Sequence, residues 1–174
     1  MLVIKPIGKK VGKIVIAGDG AVGKTTIAQR LAGTLQLDDD RHMTCGLEFH
    51  DLKISDNGDL KALIWDLGGQ EQFHFFHNAF FKDALVVILV FSVEWYHSFL
   101  NLENWISMIP EDKEIEMFLV ANKIDSTDRA VYSEEAYEFA LKMKMNYYEI
   151  SAISGEGFEV FVNELNRKIK RELT

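Results

Sequence analysis

Gly18-Asp19-Gly20-Ala21-Val22-Gly23-Lys24-Thr25 fits the phosphate-loop pattern, two spaced glycines closed by Lys and Ser/Thr. The residues before it, Lys13 to Ala17, form a short apolar run rich in β-branched side chains, which suits a buried strand. After it, Ile27, Ala28, Leu31 and Ala32 recur at helical spacing until Gly33 offers a stop. A strand–loop–helix context turns the pattern into a candidate site, whereas a glycine-rich turn that binds nothing has no need of it. Glycines 18, 20 and 23 let successive backbone N–H groups turn inward on a phosphate. The helix N-terminus adds positive potential, Lys24 can reach the β/γ-phosphates, and the Thr25 hydroxyl can bind Mg²⁺.

Length and composition bound the reading. With 174 residues, 48% of them hydrophobic and 26% charged, the chain fits one globular domain with a substantial core. A net charge of −8 argues against nucleic acid as the main partner, because a phosphate backbone needs a basic surface. Cys45 is the single cysteine, so an internal disulfide is impossible and a reducing compartment is the easier reading. No apolar segment is long enough to span a bilayer. Residues 1–12 carry Lys5, Lys9 and Lys10 without the apolar block of a secretion signal. Neither a myristoylation nor a prenylation motif is encoded, so the expectation is a cytoplasmic protein without a lipid anchor.

Residues 1–12 read as an N-terminal extension, either a flexible basic arm or an edge strand at Leu2-Val3-Ile4, and residues 13–174 as the main domain. The stretch Thr34 to Thr44 is polar and aperiodic, the mark of a functional or disordered loop. Extended segments at Leu47–Ile54 and Leu60–Trp65 flank Asp56-Asn57-Gly58-Asp59, a hairpin signal. Leu85 to Phe91 and Met117 to Ala121 read as buried strands, and Tyr147 to Ile150 as the last one. Phe99, Leu102, Ile106 and Ile109 mark a single helix face ahead of Pro110. Ser133 with Glu134 and Glu135 looks like a helix start, and Phe158, Phe161, Val162, Leu165, Ile169 and Leu173 line the final helix. Strands alternating with helices predict an α/β fold: about six strands, mostly parallel with one antiparallel edge strand, and helices on both faces. Ligands bind such sheets at the carboxyl ends of strands, where each short motif falls.

Five segments in order, Gly18–Thr25, Thr44-Cys45-Gly46, Asp66-Leu67-Gly68-Gly69-Gln70-Glu71, Asn122-Lys123-Ile124-Asp125 and Ser151-Ala152-Ile153, resemble the Ras superfamily of small GTPases. The resemblance covers nearly the whole chain from Lys13 and implies a P-loop NTPase G domain, a nucleotide-dependent switch that binds GTP/GDP with Mg²⁺ and hydrolyses GTP. It implies phosphate contacts along Gly18, Asp19, Gly20, Ala21, Val22, Gly23, Lys24, Thr25 and Thr26, and from the Gly69 N–H. Mg²⁺ would be held by Thr25, Thr44 and Asp66. Gln70 takes the position that orients the attacking water, beside the catalytic Lys24. Asn122, Lys123 and Asp125 resemble the base-reading motif, with Ser151, Ala152 and Ile153 beside the guanine. A carboxylate at 125 can accept from guanine N1–H and the 2-amino group, a donor pair adenine lacks. The loops 34–48 and 66–82 would signal to effectors, exchange factors and activating proteins.

Arg41 departs from an ordinary Ras-like chain. Arg41-His42-Met43-Thr44-Cys45-Gly46 looks like the corresponding segment of heterotrimeric G-protein α-subunits, where an arginine at that spacing acts as an internal finger. The alternative is a solvated charge beside Asp40. Where Ras-like chains place an aromatic against the guanine this chain has Leu35-Gln36-Leu37, so either the base is held less tightly or Leu35 or Leu37 takes over the contact. The segment Phe73 to Phe81 also resembles, more loosely, Roc domains. So many aromatics point to a partner surface or a homodimer, although core packing is the plainer reading for any one of them. His74 and His77 lack a visible third ligand for a metal, and Cys45 reads as structural, or as redox-sensitive if exposed. Two further readings stay open, a GTP-binding scaffold with little turnover and a P-loop ATPase or small-molecule kinase.

Overall fold

Alternation within the apolar runs decides the layers. The computed structural model describes residues 10–37, 44–55, 58–69, 77–111 and 115–174. Among these, six strands form one sheet: β1 (Lys10–Ala17), β2 (Leu47–Lys53), β3 (Leu60–Leu67), β4 (Val86–Ser92), β5 (Glu116–Asn122) and β6 (Asn146–Ile150), in the order β2-β3-β1-β4-β5-β6. β2 runs antiparallel to β3, and the other pairs are parallel. Since successive strand residues face opposite ways, Ile14, Ile16, Val86, Ile88 and Val90 join one core. Val15, Ala17, Val87, Leu89 and Phe91 join the other. Every residue of β4 is buried, as expected for a strand covered on both faces.

Helices α1 (Lys24–Ala32) and α6 (Phe158–Leu173) cover the first face. The other is covered by α2 (His77–Phe81), α3 (Tyr96–Leu100), α4 (Leu102–Ile106) and α5 (Ser133–Lys142). The α6 stripe of Phe158, Phe161, Leu165, Ile169 and Leu173 is buried, while Val162 is only partly so. The predicted α/β class, with one antiparallel edge strand and helices on both faces, is the observed fold.

Three local differences matter. β1 begins at Lys10, three residues upstream of the apolar run, because Lys10, Val11 and Gly12 pair with Leu60, Lys61 and Ala62 across the ladder. Periodicity cannot reveal such backbone pairing. The single helix predicted around Phe99 to Ile109 is two short helices meeting at Asn101, whose side-chain amide bonds to the loop after β1 and to Asn104. Asp66 lies inside β3, paired with both Ile16 and Glu48. The N-terminal stretch 1–9 and the turn residues Asp56 and Asn57 lie outside the described residues.

Phe161 is fully buried and packs edge-on against Phe118 of β5. Phe161→Ala should cost about 3–5 kcal/mol, lost aromatic burial plus the cavity it leaves. Urea denaturation of the two proteins measures it.

Candidate functional site

The loops after β1, β3, β5 and β6 meet in a cleft of about 530 Å³, beside the point where the strand order reverses around β1. Two glycines let the first loop close on its neighbours. A Cβ on Gly18, whose φ is +142°, would stand 2.2 Å from the Val90 carbonyl oxygen. One on Gly23, at φ +96°, would stand 2.2 Å from Asn122 Nδ2. No other residue type fits either place. Beyond Gly23, α1 opens at Lys24, and its first turn lines the cleft, where the positive end of the helix dipole falls. Gly20, Ala21, Gly23, Lys24, Thr25 and Thr26 line the wall, whereas Gly18, Asp19 and Val22 lie behind it. Lys24 is 5% exposed, and its Nζ donates to the Asp19 carbonyl at 2.6 Å. Burial pushes its ammonium down to about 8, with Asp66 and Asp19 pulling the other way.

Beside Lys24 stands a group of hard oxygen donors. Thr25 Oγ1 donates to Asp66 Oδ2 at 2.5 Å, and the Thr25 and Thr44 hydroxyls are 2.6 Å apart. Asp66 is wholly buried, and its Oδ1 has no hydrogen-bond partner among the described residues. Burial raises its carboxyl above the usual range, against the Thr25 hydrogen bond. Two hydroxyls and an orphaned carboxylate oxygen fit Mg²⁺, a cation that prefers oxygen ligands. Glu48 also lines the cleft, because the β2–β3 register sets it opposite Asp66. Ligand atoms of Glu48, His50 and Asp66 lie within 4.8 Å of one another. Sequence reasoning missed Glu48, although counting outward along the hairpin would have paired it with Asp66. Gly69 closes this end of the cleft, since a Cβ there would stand 2.2 Å from the Gly20 amide nitrogen.

At the opposite end Asn122 binds two loops together. Its Nδ2 donates to the Val22 carbonyl at 2.9 Å, and its Oδ1 accepts from the Ala152 N–H at 2.9 Å. Lys123, Asp125, Ala152 and Ile153 line the cleft beside it. Lys123 adopts φ +68°, and its Nζ meets Glu94 at 3.0 Å. Asp125 is exposed. Ser151, expected at the base, is fully buried; its N–H donates to the Glu156 carbonyl and its Oγ accepts from the Ser154 N–H, so it shapes the loop from behind. Arg30, which sequence reasoning missed, reaches from α1 to the Ala152 and Ile153 carbonyls, each at 2.6 Å. The polar wall where Leu35 or Leu37 was expected is made by Thr34 and Gln36, and Leu37 is 64% exposed. Arg41 and Gln70 lie outside the described residues, as do Phe73 to Phe76. From the rest of that aromatic stretch, Phe81 is buried in the core and Phe80 packs against it, the plainer of the two readings. Cys45 is exposed.

The family model described as "Ras family" matches residues 13–171. The chain belongs to the Ras family. This Ras-family chain is 34% identical over 171 residues to Ras-related protein RABA4d of Arabidopsis thaliana, covering 93% of this chain and 77% of the relative. It is 33% identical over 152 residues to Ras-related protein Rab-11A of Dictyostelium discoideum, covering 85% and 71%. With Ras-related protein SEC4 of Candida albicans it shares 31% over 157 residues, covering 88% and 74%. The architecture is accordingly that of a small-GTPase G domain, and among the described residues no helix is long and apolar enough to cross a membrane.

Asn122→Ala removes partners from two groups of the G domain, the Val22 carbonyl and the Ala152 N–H. It should lower unfolding free energy by about 2–6 kcal/mol, since each of the two buried groups left unpaired costs about 1–3 kcal/mol. Denaturant titration of the nucleotide-free protein reads this loss.

Proposed function

We propose that this Ras-family chain is a GTP-dependent switch, binding GTP and GDP with Mg²⁺ in the cleft and hydrolysing GTP. One observation carries the reading: Lys24, Thr25 and Thr44 line one end of a single cleft, with Asp66 hydrogen-bonded to Thr25, and Asn122, Asp125 and Ala152 line the other. The first end suits a triphosphate and the second a purine. The α1 N-terminus and the loop amides meet phosphate oxygens. Lys24 exchanges the Asp19 carbonyl for the β/γ-phosphates, a stronger partner for a buried ammonium.

Thr25, Thr44 and Asp66 would hold Mg²⁺, which would supply positive charge to offset the negative charge of the phosphates. Gln70 orients the attacking water and Arg41 meets charge that develops at the γ-phosphate, both proposed from the family resemblance. Such a step needs alignment and charge stabilisation more than covalent help. Asp125 accepts from guanine N1–H and the 2-amino group, and the Ala152 loop, pinned by Asn122 and Arg30, lies beside the base. Loss of the γ-phosphate releases Thr44 and the Gly69 segment, so loops 34–48 and 66–82 present a different surface to regulators and effectors.

Purified protein incubated with both nucleotides should retain GTP over ATP and release phosphate from GTP. Retention of both alike, or of neither, overturns the proposal, and retention without turnover leaves a binding scaffold. Asp125→Asn exchanges an acceptor for a donor at the 2-position. It should lose GTP affinity at least about a hundredfold and gain xanthosine triphosphate, which carries a 2-oxo group. Competition binding measures both changes.

Lys24 gives a pH signature. Its ammonium ionises near pH 8 in the free protein, and bound phosphates raise that value. Below about pH 8 both forms are charged and affinity is flat. Above it the free form loses its proton, binding must restore it, and affinity falls by up to about tenfold per pH unit. Calorimetry of GDP binding at pH 8.5 in two buffers of different ionisation enthalpy should register proton uptake.

A further inference from the structure

Asp19 brings a carboxylate into a loop built for anions. It is 6% exposed, and its neighbours Gly20 and Ala21 already line the cleft. Burying a charge is costly unless it is hydrogen-bonded. The donors come from across the chain, beyond β4. Trp105 Nε1 donates to Asp19 Oδ1 at 2.9 Å, and Asn101 Nδ2 donates to the same oxygen at 2.8 Å. His97 Nδ1 stands 3.7 Å from Oδ2 on the solvent side. Asn101 is oriented in turn by Asn104, whose Nδ2 donates to Asn101 Oδ1 at 2.5 Å. Trp105 is 1% exposed, so its indole N–H has little freedom to move. The Asp19 main chain faces the other way, its carbonyl accepting from Lys24 Nζ. One residue therefore joins α3 and α4 through its side chain and the phosphate-site lysine through its backbone.

We propose that Asn101 and Trp105 are positioning residues for the phosphate loop, holding the Asp19 carboxylate away from bound phosphates and the loop backbone in its anion-accepting shape. The proposal rests on the reading of the cleft as a nucleotide site. A carboxylate freed from both donors leaves a buried charge unpaired, or turns toward the mouth of the loop and opposes phosphate charge. Either outcome weakens nucleotide retention, and both act through Asp19 alone. That separates positioning from packing: a Trp105 that merely filled space would matter equally with or without the Asp19 carboxylate.

The test is a double-mutant cycle on the full chain. Trp105→Phe keeps an aromatic ring and removes the N–H, and Asn101→Ala removes the second donor. With Asp19 present, the pair should speed dissociation of a fluorescent GDP analogue about tenfold or more, given the strength of hydrogen bonds to charge. In an Asp19→Ala background the same pair should change the rate less than twofold. Equal factors in both backgrounds, or no acceleration with Asp19 present, overturn the proposal. Hydrogen exchange of amides 18–23 in the nucleotide-free protein gives a readout independent of nucleotide binding: the pair should speed it only when Asp19 is present. If the wild type retains no GDP, the nucleotide reading fails while this exchange still decides the clamp. Should Trp105→Phe fold poorly, Asn101→Asp alone should speed GDP release by setting two carboxylates together. Adding Asp19→Ala, which removes the opposed carboxylate, should then reduce the effect of Asn101→Asp to less than twofold, and an undiminished effect overturns the proposal.

Discussion

The cleft depends on one side-chain amide buried between two loops. Asn122 closes β5 and is 2% exposed, and it satisfies a carbonyl of the first loop and an N–H of the last. A carboxamide both donates and accepts through one rigid planar group, so a single residue fixes two backbones against each other. Gly23 sits against the same Nδ2, which lets the loop approach that closely. The two ends of the cleft are therefore fixed relative to each other by this one residue.

The remaining loops are held by charge. Arg30 reaches two carbonyls after β6 from α1, so the helix that carries Lys24 and Thr25 also grips the opposite wall. On β6, Glu149 accepts from Arg129, Ser133 and Tyr147, and those hydrogen bonds together outweigh burial and hold its carboxyl below the usual range. That network ties the start of α5 to the last strand. Lys168 and Arg171 of α6 do the same at the amino end of β5 through Glu116. Lys24 Nζ donates to the Asp19 carbonyl, and its buried ammonium feels the charge of Asp66. The Asp19 carboxylate is held by two donors, Asn101 and Trp105, on the side away from the cleft.

Much of this was legible in the chain. The strand–loop–helix setting of Gly18–Thr25, the buried strands, the antiparallel edge and the Ras-like order of motifs follow from local pattern, because backbone geometry, side-chain alternation and glycine requirements are short-range properties. Tertiary structure alone decided which side chains meet. Nothing near Asp19 announces Trp105, 86 residues away, as its donor, and nothing near Arg30 announces Ala152, 122 away. Glu48 reaches the cleft through strand register, and Ser151 falls behind the wall despite its place in a matching motif. Register and packing against distant elements set those placements, and local sequence carries no information about a partner that only the fold brings within hydrogen-bonding distance.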